Sequence, residues 1–226
     1  MSLLPPPVNF RKKYIIRAMY LRLFEAYGPQ RWWPAQTPFE VIVGAILVQN
    51  TNWQNVEKAI KNLSDKKLLV FSSLNALTAV QISSYIRPAG YYNIKAKRLK
   101  NFLTFLAQHY DGNVACMAAR PLKDLRNELL SVNGIGPETA DSILLYALNK
   151  PVFVVDAYTR RLLVRHGFEK DTGSYQAMQE LFMSSLEPDT AMFNEYHALI
   201  VRLGKDFRKE KAAGPDYPLK DKKYFL

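Results

Sequence analysis

The sequence predicts an all-α protein, on two observations: apolar residues recur three and four apart along most of its 226 residues, and strict alternation is scarce. The first periodic stretch runs from Tyr14 to Phe24, and others follow from Phe39 to Leu47, Val56 to Leu63, Ala96 to Leu106, Leu122 to Leu130 and Ile143 to Leu148. A helix is expected over Ala157 to Leu163, and another from about Met192 to Phe207. A chain of this length forms one large or two small domains. There is no internal repeat, and biased composition is confined to the Pro5-Pro6-Pro7 run and a basic tail from Lys205 to Lys223.

The helical pattern is punctuated at Leu130-Ser131-Val132-Asn133-Gly134-Ile135-Gly136-Pro137-Glu138-Thr139-Ala140-Asp141, where one helix ends, two glycines turn the chain, and Pro137 opens a second helix. Proline at the first helical position has its φ preset and gives up only an N–H that lacks an intrahelical partner. The glycines let the backbone approach another surface, and the free N–H groups opening the second helix can seat an anion such as a DNA phosphate. Such a turn supplies grip and register, without sequence information. Taken alone it reads equally as an ordinary helical hairpin.

Asp156 follows the apolar run Pro151-Val152-Phe153-Val154-Val155 and precedes Ala157-Tyr158-Thr159-Arg160-Arg161-Leu162-Leu163, so it is placed to cap that helix. Capping alone would explain it. Capping is also compatible with chemistry, because backbone donors and the helix dipole keep the carboxylate ionised and fixed, which suits charge stabilisation better than base catalysis.

Together these segments resemble the helix-hairpin-helix DNA glycosylases that include endonuclease III. Val132 to Ala140 resembles the family hairpin, and Asp156 stands where that family keeps the aspartate that promotes cleavage of the bond between base and sugar. Phe39-Glu40-Val41-Ile42-Val43-Gly44-Ala45-Ile46-Leu47-Val48-Gln49-Asn50-Thr51 resembles the early helix and the loop whose glutamine enters the DNA helix, and Ile86-Arg87-Pro88-Ala89-Gly90-Tyr91-Tyr92-Asn93-Ile94-Lys95-Ala96-Lys97-Arg98-Leu99 resembles the family's "glycine, aromatic, Lys-Ala" segment. The resemblance implies two helical domains with a DNA-binding cleft between them: residues 36–150 bearing the helix-hairpin-helix, and residues 1–35 plus 151–226. It also implies that Gly134, Ile135, Gly136 and Thr139 meet a DNA phosphate, that a monovalent cation is a candidate ligand at the hairpin, and that Gln49, with Asn50, fills the gap left by a flipped nucleotide.

Two departures from endonuclease III bear on the chemistry. Glu138 stands where bifunctional members carry the lysine that attacks the sugar, and a carboxylate cannot form a Schiff base, which points to hydrolysis by water. As a first-turn acid, Glu138 is equally explained by the helix dipole. Gly204-Lys205-Asp206-Phe207 resembles the family lead-in to a four-cysteine iron–sulfur cluster, but Cys116 is the chain's one cysteine, so no iron–sulfur cluster and no other cofactor is expected.

A glycosylase unstacks its target base and holds it against aromatic faces. Trp32, Trp33 and Pro34 precede the Phe39 segment and Trp53 follows it, and these are the expected base-pocket residues, with core packing as the alternative for each tryptophan. This arrangement, with Glu138 and the missing cysteines, most resembles the small bacterial 3-methyladenine DNA glycosylases. For them a cationic alkylated purine stacked on electron-rich rings is physically sensible. On that reading Trp32 and Trp53 flank the base, and Asp156 stabilises the positive charge developing on the sugar and orients the attacking water. Lys205 reads either as a solvated helix-end cation or as a side chain in the cleft, where it would be the first candidate for any lyase activity.

Other charged groups take plainer readings. Lys95, Lys97, Arg98 and Lys100 are expected on a solvated helix face before a DNA contact. Arg160, Arg161 and Arg165 can pair with phosphate or with acids, and His109, His166 and His197 lack metal-ligand spacing. Lys and Arg total 31 against 20 acids, a net charge of +11, which favours polyanions and by itself fits RNA or membrane surfaces too. No run approaches the roughly 18 apolar residues that span a bilayer, and Pro5-Pro6-Pro7 before Arg11-Lys12-Lys13 lacks the order of a signal peptide. The expectation is a cytoplasmic, nucleoid-associated monomer acting on double-stranded DNA that contains a damaged base, with no membrane partner. Two alternatives stay open: a glycosylase and AP lyase like endonuclease III for oxidised or mismatched bases, and a noncatalytic DNA-binding protein that uses the hairpin only for grip.

Overall fold

The structure, a computed structural model, describes residues 8–207 and 216–226, with side chains from residue 10. The Pro5-Pro6-Pro7 run and residues 208–215 of the basic tail lie outside the described residues. Among the described residues the chain is all helical, without strands: α1 (Val8–Tyr27), α2 (Pro38–Leu47), α3 (Trp53–Asp65), α4 (Phe71–Asn75), α5 (Ala79–Tyr85), α6 (Tyr92–Tyr110), α7 (Val114–Ala118), α8 (Leu122–Ser131), α9 (Pro137–Ser142), α10 (Ala157–Arg165), α11 (Tyr175–Ser185) and α12 (Thr190–Asp206). The chain forms two compact units, a continuous one of Trp33–Lys150 and a second made of Met1–Trp32 with Pro151–Leu226.

The continuous unit is built around α2. Thr37 caps this helix by accepting the Glu40 amide, Pro38 opens it, and every residue from Val41 to Leu47 is buried. A helix apolar on all sides must be surrounded, and α3, α6 and the wide turn Ile143–Ala147 that continues α9 pack against it. Trp33 belongs here because its ring meets Trp53 edge-on at 4.7 Å and Tyr146 at 5.2 Å. A Cβ at Gly44 would lie 3.2 Å from the Trp33 ring, so glycine gives that ring a close seat against α2.

The face carrying Lys95 to Lys100 corrects the sequence expectation. Lys95 is buried and donates to two backbone carbonyls, Arg98 donates to Gln49, and Lys100 donates to Asn75. Lys97 alone of the four is exposed. Acceptors explain this: Lys95 meets carbonyls at the end of α2 and of the turn before α6, Arg98 the Gln49 side chain, and Lys100 the carbonyl and side chain of Asn75 that end α4.

In the second unit α1 buries Ile15, Ile16, Met19 and Leu23, while Tyr14 and Phe24, the ends of the expected apolar stretch, lie outside. The run Val152–Val155 is buried and lies outside any helix. Its Phe153 ring stacks on Phe182 at 4.1 Å and meets Phe193 and Tyr196 edge-on. Gln179 donates to the Phe153 carbonyl at 2.7 Å, and the Tyr196 hydroxyl donates to the Ile16 carbonyl at 2.9 Å. Residues 216–226 fold back onto α10. His166, fully buried at the end of that helix, bonds the Tyr224 carbonyl through Nδ1 at 2.9 Å and the Tyr217 hydroxyl through Nε2 at 2.8 Å.

Candidate functional site

The hairpin is stiffened from inside. Arg126 of α8 grips Asp141 of α9 with Nε and Nη2, at 2.7 and 3.0 Å, and Asp141 is completely buried. This planar fork fixes the two helices about the turn more tightly than a single bond would. Gly134 has φ 97°, and a Cβ there would fall 2.2 Å from the Arg98 Cγ, so both conformation and space demand glycine. Ile135 is buried and anchors the turn, whereas Gly136, the N-cap of α9, faces open space. Glu138 is exposed in the first turn of α9. The carbonyls of Val132, Asn133 and Gly134 accept from Ile135, Asn101 and Gln49, so a cation held here would rely on their second lone pairs.

Gln49 joins the turn after α2 to this hairpin. Its Nε2 donates to the Gly134 carbonyl at 3.0 Å and to Thr139 Oγ1 at 2.9 Å, and its Oε1 accepts from Arg98 at 2.6 Å. The Thr139 hydroxyl therefore faces Gln49, and what Thr139 can offer a phosphate is its backbone. In this conformation Asn50, with φ 54°, is the exposed member of the pair.

Asp156 caps α10 through a reciprocal pair of bonds. Its Oδ1 accepts from the Thr159 amide at 2.8 Å and the Thr159 hydroxyl at 3.0 Å, while its own amide donates to Thr159 Oγ1 at 3.4 Å. Its Oδ2 lies 3.7 Å from Nε2 of His197 on α12, and the side chain is only 14% exposed. Burial pushes its pKa up, but His197 and the Thr159 donors outweigh burial and hold the carboxyl below the usual aspartate value. The result is a fixed, ionised carboxylate in a largely dry setting. Sequence reading missed His197, because nothing in the spacing of Asp156 and His197 signals that α12 returns to the start of α10.

The aromatic candidates divide between the units. Trp33, Pro34 and Trp53 line a cleft of about 290 Å³ with Glu40, Glu57 and Asp65, and the Trp53 indole N–H donates to Glu57 at 2.8 Å. Trp32 lies in the second unit, with the exposed Lys205 ammonium 5.7 Å from its ring centre. Arg161 and Arg165 lie over the rings of Tyr158 and Tyr217, at 4.4 and 5.0 Å.

The described residues thus form an all-helical fold with a braced hairpin and a later helix capped by an ionised aspartate. The chain belongs to the HhH-GPD superfamily of base excision DNA repair proteins, whose family model matches residues 43–188, and it is a DNA glycosylase of that superfamily. It is 48% identical over 210 residues to a Methanocaldococcus jannaschii protein provisionally named a DNA repair glycosylase, covering 92% of this chain and 94% of that one. Endonuclease III of Sulfolobus acidocaldarius is 28% identical over 202 residues, 83% of this chain and 82% of that one. Among solved structures, the H. pylori 3-methyladenine DNA glycosylase bound to 1,N6-ethenoadenine superposes with a TM-score of 0.74 at 28% identity, covering 86% of this chain and 97% of that one. A non-covalent endonuclease III–DNA complex, 21% identical, shares the fold with a TM-score of 0.73 over 88% of this chain and 89% of that one.

Proposed function

We propose that this glycosylase is monofunctional and hydrolyses the N-glycosidic bond of alkylated purines, 3-methyladenine foremost. The observation that carries the reading is Asp156, a carboxylate kept ionised and immobile by Thr159 and His197. A cationic base leaves with the bonding electron pair and needs no strong general acid. The sugar left behind carries positive charge that Asp156 offsets, and water then adds to C1′ and releases its proton to solvent. Glu138 cannot form a Schiff base, which supports hydrolysis over lyase chemistry. The substrate class is supported by the likeness to the H. pylori 3-methyladenine enzyme. It is supported also by the Trp33–Trp53 cleft, whose aromatic side chains and the carboxylates of Glu40 and Glu57 suit a positively charged ring, while Asp65 is paired with Lys61 in the same lining. Gly136 and the amides opening α9 receive a phosphate. The reaction so described calls for no cofactor.

The test is a panel of duplexes carrying 3-methyladenine, 1,N6-ethenoadenine, oxidised pyrimidines, 8-oxoguanine or mismatches, incubated with the protein and analysed with and without alkali. Excision confined to alkylated purines, with strand breaks only after alkali, is the expected result. Strand breaks without alkali, together with a borohydride-trapped adduct lost in Lys205→Ala, would replace hydrolysis by a lyase reaction through Lys205.

A further inference from the structure

Lys95 is a buried ammonium that the proposed chemistry does not use. It is 1% exposed, and Nζ donates to the carbonyls of Leu47 at 2.8 Å and Ala89 at 2.7 Å. Leu47 ends α2, so its carbonyl is among those a helix leaves without an intrahelical donor, at the negative end of the dipole. Ala89 closes the single turn Arg87–Ala89, directly before Gly90 at φ 68° and Tyr91 at φ 46°. Beyond each carbonyl the chain steps into the left-handed region at an exposed side chain: Asn50 at φ 54° after α2, and Tyr91, 71% exposed, before α6. Residues other than glycine keep such conformations where their surroundings hold them there. Arg98, farther along α6, reaches the same first turn through Gln49.

Burying this amine is unfavourable: desolvation and the neighbouring Arg98 lower its pKa to about 8. A leucine or methionine would fill the space without that cost but would leave both carbonyls without a donor. The ammonium has what no apolar side chain has, several donors on one atom, and it spends them on two turns that are distant in sequence.

We propose that Lys95 is a positioning residue, whose ammonium holds the Gln49–Asn50 turn and the Gly90–Tyr91 turn in one shared frame so that they meet DNA as a unit. The proposal rests on the reading that the Gln49–Asn50 turn enters the duplex, and its physical core can be tested without that reading. Lys95→Met keeps the volume and removes the donors. Hydrogen exchange should then accelerate in residues 48–52 and 89–92 together, while α8 keeps its protection. Excision from a lesion-bearing duplex should slow by about tenfold or more, because misplaced contacts are costly to rate. Lys95→Gln keeps a donor group on a shorter arm, and should restore protection to one turn at most; it also serves if the methionine variant folds poorly. Unchanged exchange at the two turns, or acceleration spread evenly over the fold, would overturn the shared frame. Faster exchange at both turns with unaltered excision would overturn the positioning role. Absence of excision by the unaltered protein would instead refute the proposed function, and the exchange data would still decide the frame.

Discussion

Asp156 joins two jobs that compete in most proteins. A buried carboxylate is ordinarily driven toward its neutral form, yet here the donors that terminate a helix also keep the charge in place. Asn is as good an N-cap as Asp, so Asp156→Asn should leave thermal stability close to that of the unaltered protein while excision falls by about 10²–10³-fold. Excision near the original rate, measured under single turnover, would remove Asp156 from the chemistry. Its place at a helix start was legible in the sequence, because an apolar run before it and a helical pattern after it mark the junction. The His197 imidazole beside it was not, since side chains meeting across two helices leave no local trace. Lys95 was misread for a related reason: a lysine enters a core only when carbonyls await it, and those carbonyls belong to residues elsewhere in the chain.

At the scale of elements, the long helices with a broad apolar face were readable from period alone, as for α2 and α6. The shorter α4, α5 and α7 were not, because their few turns are fixed by caps such as Thr78 and Asn113 and by tertiary contacts. The contact between α10 and the segment ending at Leu226 likewise gathers on His166, which meets both Tyr217 and Tyr224. His166 is held neutral there, burial pushing its pKa down from 6.5 to about 4. Between those values the unfolded chain binds a proton that the folded chain refuses, so stability rises with pH. The contribution is fully present above about pH 6.5 and is lost as pH falls toward 4, by about 3 kcal/mol. Urea unfolding across that range should therefore weaken more steeply for the natural protein than for His166→Gln, which keeps a donor and an acceptor but does not titrate. Equal slopes would show that the proton is not excluded.

For the whole molecule, the net charge of +11 should govern how it meets DNA. If binding neutralises five or six phosphates, the logarithm of duplex affinity should fall against the logarithm of salt with a slope of about −5. A slope near zero in fluorescence anisotropy titrations would mean that the basic surplus lies away from the contact. The all-helical class was legible from the scarcity of alternating residues, whereas the assignment of Trp33 to the continuous unit was not, because its ring meets Trp53 and Tyr146, residues distant in sequence. The chain order of the two units has a consequence for biosynthesis. Trp33–Lys150 is contiguous and can begin folding as it leaves the ribosome, but α1, which precedes it, must wait for residues 151–226 before Ile15, Ile16, Met19 and Leu23 are covered. Until those later residues are made, the four apolar side chains of α1 stay open to chaperones or to aggregation.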